Sequence, residues 1–441
     1  MKKQLDLTHG NILRGFLYFA FPLFLGSLFQ QLYGTVDLLF VGNILGTTDA
    51  AAVGASSILV TCLIGLFTGI SVGAGVVIAQ LWGAKKQTEV IQCIETSLII
   101  GIVGGVILTL IGLLLSRQAL LWLNTPSEIM NHAMIYIRIY LLSILPMILY
   151  NLSAGILRAM GDSRTPFLVL AAGGFLNVCM DAFLIAFLNW GVAGAAVATM
   201  ISQSFTAAVL TIYLILRYRI RFKRNFDWNL AVQILWIGCP LGIQSMILTL
   251  SNLFVQYFIN GFGENAIAAF TVYFKAENLI YLPIMAFGQA MVTFTGQNYG
   301  AGNSGRIKRG AIQCNLFSAA AVAFISWIIL LLGRPLLALF CNELAVIEEG
   351  LKIIHISFPF YFLYAFLEVT GGIIRGLGKT VQSMMIVIVN LCVIRVLLLG
   401  ILVNSFHTIQ AVAFVYPATW FVAALSFIIY YIWLLYVKRI T

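Results

Sequence analysis

Two carboxylates stand where carboxylates are expensive. Asp37 lies in LYGTVDLLFVG, residues 32–42, inside an uncharged and mostly apolar run that begins at Phe16. Asp181 closes NVCMD, residues 177–181, in a second such run, and Thr199 stands in a third. Asn177 precedes Asp181 by four residues, so the two share one face of a helix. Desolvation and mutual repulsion disfavour the ionised form of an acid in such a medium, so acids there readily exchange protons. The chemistry on offer is reversible loading of a proton or a small cation.

The elements that must carry these groups follow from composition. The 441-residue chain is 61% hydrophobic and 9% charged, against about 25% charged residues in an ordinary soluble domain. Apolar runs of membrane-spanning length recur from end to end, which defines an all-α polytopic membrane protein. A barrel would show short alternating segments, and none occur. Twelve spans are expected, near 14–40, 51–80, 90–115, 129–157, 166–188, 191–216, 230–258, 266–296, 310–333, 347–374, 381–404 and 409–437. The first run is too long for a signal-peptide core and reads as the first helix. At 1.5 Å of rise per residue, Asp37 lies roughly 34 Å past Arg14, Asp181 roughly 26 Å past Arg164, and Thr199 roughly 12 Å below the far face. Asp37, Asn177, Asp181 and Thr199 therefore converge at similar depth from three helices. Seven scattered cysteines, without a C-x-x-C pair, read as packing residues.

The net charge of +10 invites a nucleic-acid reading, but its placement excludes that need. With the N-terminus inside, 19 of the 25 basic residues fall on the cytoplasmic side, as the positive-inside rule requires. Both termini are then cytoplasmic, and the partners expected are a lipid bilayer and a small organic molecule. The basic stretch RYRIRFKRNFDW, 217–228, reads as a solvated cytoplasmic connector.

Around that connector the sequence repeats. QLWGAKK (80–86) matches QNYGAGN (297–303), and GILRAMG (155–161) matches GIIRGLG (372–378), each at an offset of 217 (297 − 80 and 372 − 155). Pro22 and Pro240 agree to one residue. The reading is a duplication into halves 1–220 and 221–441 of six spans each, related by an axis along the membrane normal.

VDLLFVG, AQLWGAKK, LRAMGDSRTP, NVCMD and GQNYGAGN together resemble the multidrug and toxic compound extrusion (MATE) family over essentially the whole chain. The resemblance implies a twelve-helix, two-lobed, V-shaped antiporter. Such a protein exports organic, often cationic, amphipathic compounds in exchange for protons or sodium ions, as a monomer in the cell membrane and without a cofactor. The DinF-like branch implies proton coupling at Asp37, Asn177, Asp181 and Thr199, with Asn151 as a further member. NorM-like members carry an acid after the proline of the seventh helix, where CPLGIQSMILTLSN has none, which favours coupling in the first half.

The acids are not repeated: the offset carries Asp37 onto Phe254 or Val255, and Asp181 falls opposite Ile394. Architecture alone gives no reason for that asymmetry. In the second half, Glu277 is expected to pair with Arg395 or Lys275, and Glu368 with Arg375 seven residues on. Tyr33, Met180, Gln256, Tyr257, Glu277 and Met285 are the expected substrate contacts, since aromatic and methionine surfaces adapt to varied flat cations. Pro22, in the helix of Asp37, is expected as a conformational hinge or a static kink. GISVG, 69–73, fits the nucleophile-elbow spacing, but within an apolar span it reads as a small-residue packing face. No P-loop or zinc-binding motif occurs, so an enzyme is not expected. A flippase for lipid-linked precursors is the alternative, kept open by Lys275 and Arg395.

Overall fold

The structure, a computed structural model, describes residues 5–40, 42, 44, 46–122, 125–222 and 226–437. The side chains of 33, 37–39, 47–48, 50–52, 55–64, 66 and 437 also lie outside the description. Tyr33 and Asp37 are among them. Every regular element among the described residues is helical: α1 (Ile12–Phe40), α2 (Thr47–Gly83), α3 (Gln87–Trp122), α4 (Ser127–Leu142), α5 (Ile144–Ala159), α6 (Arg164–Asp181), α7 (Gly191–Tyr218), α8 (Trp228–Asn260), α9 (Glu264–Gly300), α10 (Ser304–Leu331), the short α11 (Gly333–Ala338), α12 (Leu344–Ser357), α13 (Tyr361–Gly376), α14 (Thr380–Ile388), α15 (Arg395–Phe406) and α16 (Ile409–Val437). Among the described residues, ten helical spans are long and apolar enough to cross a membrane. An eleventh appears if α4 and α5, bent by 41°, form one span. Twelve were expected. The remaining helix is α2, in which only Phe67–Gly83 can be scored, as a shorter apolar segment.

The bend in the fourth span has a local cause. Pro146, in the first turn of α5, cannot donate to a carbonyl four residues back and crowds it, so the ladder breaks around Ser143. Pro359 interrupts the tenth span in the same way, in the 3₁₀ turn Phe358–Phe360 between α12 and α13.

The duplication is written into the backbone. Left-handed residues recur at the offset read from sequence: Gly46 (φ 89°) with Gly263 (87°), Lys85 (59°) with Gly302 (70°), and Gly161 (89°) with Gly378 (78°). Helices α2 and α9 each have 37 residues, and α5 and α13 each have 16. Glycine is required at 161 for a second reason, because a Cβ there would lie 2.1 Å from the Leu5 carbonyl oxygen.

Two compact units result. One comprises Met1–Leu5 and Leu25–Ile243, the other Asp6–Phe24 and Gln244–Thr441. In the first unit α2 meets the first half of α8 through two Gly-x-x-x-Gly faces. A Cβ on Gly69 would stand 2.2 Å from the Gly242 nitrogen, and one on Gly73 would stand 2.6 Å from the Ile234 oxygen. GISVG is thus a helix-packing face. In the second unit the segment ahead of α1 is tied down. The Leu7 amide donates to Gln297 Oε1 (3.3 Å), and the Leu7 carbonyl accepts from Asn298 Nδ2 (3.1 Å) and Arg306 Nε (3.1 Å). Arg306 also donates to the carbonyls of Gly10 and His9, each at 2.8 Å. Burial pushes the Asp6 carboxyl upward, but hydrogen bonds from the Thr8 hydroxyl and amide and from His9 outweigh it and hold the group below the ordinary carboxylate range.

Candidate functional site

In the first unit α6 and α7 run antiparallel at close range, and small residues set their register. A Cβ on Gly173 would lie 2.0 Å from Thr206 Cγ2, and one on Gly194 would lie 3.3 Å from Ile185 Cγ1 and from Leu184. Interpolating between those two contacts puts Asn177 level with Ser202 and Asp181 level with Ala198, next to Thr199. Asp181 is 0% exposed and Asn177 3%. The Asn177 Oδ1 is enclosed without a hydrogen-bond partner among the described residues. Thr199, half-buried, donates its hydroxyl to the Ala195 carbonyl at 3.1 Å, which leaves its lone pairs for a neighbour. Directly after Asp181 the helix widens into a π-helical turn, Ala182–Phe187. Such insertions are frequent at functional sites because they release backbone carbonyls and re-aim side chains.

Asn151, in α5, is half-buried. Its Nδ2 donates to the Met147 carbonyl at 2.9 Å, and its own carbonyl accepts from Ser71 Oγ at 2.6 Å. It serves the α2–α5 contact. Toward the Asp49 end of the same unit, the His132 ring bonds the Asp49 carboxylate. One helical turn further along, Val53 and Tyr136 join Ile185 and the start of α7 in a buried apolar cluster.

The second unit differs. Glu277 was expected to pair with a cation, and no salt bridge to Arg395 or Lys275 is present among the described residues. Glu277 instead accepts a hydrogen bond from the Tyr361 hydroxyl, which in turn contacts the Tyr273 hydroxyl at 3.1 Å. The helix packing of α9 on α13 brings in a phenol 84 residues away, a partner that spacing along the chain does not reveal. Arg395 turns to Ser251 Oγ (2.8 Å) and Asn252 Oδ1 (2.9 Å). Lys275 is exposed. The Glu368–Arg375 pair does form, with both side chains 12% exposed.

The remaining expected contacts are distributed over several helices. Pro22 is buried within an unbroken α1. Met180, in α6, and Met285, in α9, are half-buried. Gln256 donates to Asn260 Oδ1 at 2.8 Å within its own helix, and Tyr257 is 74% exposed. Sequence reasoning missed Tyr273, Tyr361, Ser251 and Asn252, for which it offered no periodic signal. It used Gln297 only as a repeat marker and left Asn298 aside, although side chains of their type, 0% exposed, needed partners. Among the described residues no three His, Cys, Asp or Glu side chains gather as a metal site.

The MatE family model matches residues 22–183 and again 240–401, two copies 218 residues apart (240 − 22). The chain is 28% identical over 404 residues to YpnP of Bacillus subtilis, a probable multidrug resistance protein, covering 89% of each. It is 28% identical over 448 residues to YoeA of the same organism, also a probable multidrug resistance protein, covering 98% of this chain and 96% of that one. The fold is similar to a crystal structure of MATE in the straight conformation, with a TM-score of 0.91 at 23% identity over 98% of this chain and 97% of the other.

Proposed function

This chain belongs to the MATE family of membrane transporters, and from that premise we propose that it expels organic, amphipathic cations in exchange for protons by alternating access. The coarser part of that statement, a multi-pass exporter of drugs or other xenobiotics and not an enzyme, follows from the family and its multidrug-resistance relatives. The coupling rests on one observation: a carboxylate, Asp181, 0% exposed within a membrane span and one turn from an enclosed Asn177 oxygen without a hydrogen-bond partner among the described residues. Intramembrane acids are rare and mark ion or substrate pathways.

Asp37 joins them in this reading. The first and fifth spans run the same way through the membrane, and a Cβ on Gly26 of α1 would lie 3.7 Å from Leu170 Cδ2 of α6. Eleven further residues along each helix (37 − 26 and 181 − 170) bring positions 37 and 181 to one level. Thr199 is the fourth member and Asn151 a more distant support. Met180, Gln256, Tyr257, Glu277 and Met285, with Tyr33, are the proposed substrate contacts, and Pro22 the hinge. One charge moved through about 150 mV supplies about 3.5 kcal/mol, enough for a gradient of a few hundredfold. The positive-inside pattern supports cytoplasmic termini in the cell membrane, with a single chain as the working unit.

The test is ethidium efflux from de-energised vesicles given a pH step, in wild type, Asp37→Asn and Asp181→Asn. Efflux in wild type that follows the step, and its loss in both variants, is expected. Wild-type efflux indifferent to pH, or variants that respond as wild type does, overturns the proton-coupled reading.

A further inference from the structure

The second unit holds a cation that nothing in the exchange mechanism uses. Arg395 lies 15 residues past Thr380 and 11 before Phe406 in the span Thr380–Phe406, so it sits about 16 Å inside the far end of that helix. It is 7% exposed, and no carboxylate lies within salt-bridge distance among the described residues. Glu277 is close enough for its charge to act on Arg395 but forms no salt bridge with it, and a buried guanidinium without a direct counter-ion is costly.

The surroundings are built around one edge of the guanidinium. The π-helical turn Val389–Ile394 ends immediately before Arg395. The carbonyl of Leu391, within that turn, accepts from Ser251 Oγ at 3.3 Å. With its proton committed there, the Ser251 oxygen can only accept, and Arg395 Nη2 donates to it and to Asn252 Oδ1. The Tyr416 ring lies 6.0 Å from the guanidinium carbon. Nε is enclosed and makes no hydrogen bond among the described residues. Nη1 makes none either, yet unlike Nε it is not enclosed. Asn252 beside it is exposed. Lys275, also exposed, lies 11 residues into α9 from Glu264 (275 − 264), hence at the same depth from the same face as Arg395. The acid near that level, Glu277, is already engaged by Tyr361.

We propose that Arg395, fixed by Ser251 and Asn252, is a recognition site for an anionic oxygen, a carboxylate or a phosphate, presented within the membrane. Guanidinium forks match such groups in shape and charge. The oxygen comes either from the exported molecule, whose class then includes amphipaths carrying a carboxylate beside their cation, or from a lipid headgroup. The first source rests on the export reading above.

The probe is a chemically matched pair, rhodamine B with a free carboxylate and its ethyl ester without one. Binding to the purified full chain is read by fluorescence polarisation, and efflux is measured in vesicles. Arg395→Gln weakens rhodamine B about tenfold or more, the size of one charge-assisted hydrogen bond, and leaves the ester within about twofold. Arg395→Lys, which keeps the charge and loses the fork, falls between them for rhodamine B. Equal weakening of both dyes in Arg395→Lys, or no change for either dye in both variants together with no lipid-dependent difference between wild type and Arg395→Gln, overturns the proposal. If instead phosphatidylglycerol nanodiscs stabilise wild type relative to phosphatidylcholine and Arg395→Gln removes only that difference, the anion is a headgroup phosphate. A wild type that expels neither dye refutes the export reading while the binding comparison still decides the role of Arg395.

Discussion

Replacing Gly69 by alanine tests the crossing that fixes the first half of α8 within its unit. The added methyl carbon would stand 2.2 Å from the Gly242 nitrogen, 2.6 Å from its Cα and 2.7 Å from the Gly238 oxygen. All three are backbone atoms and cannot rotate aside. Ordinary contact needs about 3.5 Å, so the helices must part by roughly 1.3 Å. A gap of about 1 Å forfeits a quarter to a half of each contact, and with about 20 atom pairs at 0.1–0.2 kcal/mol the loss is about 0.5–2 kcal/mol. Measured overpacking, about 1–3 kcal/mol, agrees. Unfolding of the detergent-solubilised full chain, followed by tryptophan fluorescence, should shift downward by several degrees, at about 2–4 °C per kcal/mol for a large domain. Gly400→Ala is the control, since its Cβ would meet nothing within 4 Å. There alanine gains up to about 1 kcal/mol of helix propensity. If both variants unfold at the wild-type temperature, the close approach of α2 and α8 is wrong.

Two other expectations concern the second unit. Arg306→Ala removes three carbonyl contacts, to Leu7, His9 and Gly10, so hydrogen exchange of the segment ahead of α1 should speed up about tenfold or more while global unfolding moves little; unchanged protection would contradict the clamp. Glu368→Gln leaves Arg375 without its carboxylate in a site where both side chains are 12% exposed, a loss of about 3–5 kcal/mol. The double variant Glu368→Gln with Arg375→Gln should recover much of it, and a single variant as stable as wild type would show that the pair is screened.

What the sequence disclosed was what periodicity and charge record. The offset of 217 residues, read from Gln80 with Gln297 and Gly155 with Gly372, reappears as paired left-handed turns at Gly161 and Gly378 and at Gly46 and Gly263. A backbone that must reverse in both halves keeps glycine in both. GISVG was legible as a packing face because an apolar span leaves no room for a strand-turn-helix elbow. The bend between α4 and α5 was available too, in Pro146, but a proline inside a long apolar run leaves open whether the helix kinks or continues. In α1, Pro22 continues.

Pairing was the illegible part, and the reason is geometric. Counting helix rise puts Glu277, Lys275 and Arg395 near one depth, yet depth fixes only one of three coordinates. The azimuth around each helix decides the partner. On α9, Tyr273 and Glu277 are one turn apart and face α13, so Tyr361 reaches both, whereas Lys275, two residues before Glu277, points to a different side and is exposed. The π-helical turn before Arg395 adds a residue to one turn of the span and shifts the azimuth of everything after it, and no sequence signal marks it. The same logic separates the two units. In one, the π-helical turn follows a buried acid, Asp181; in the other it precedes a buried base, Arg395. A duplicated scaffold has kept the distortion in its fifth span twice and reversed the sign of the charge beside it. Because a π-helical turn frees carbonyls whichever charge accompanies it, the distortion belongs to the shared architecture, and the charge beside it is where the two halves differ.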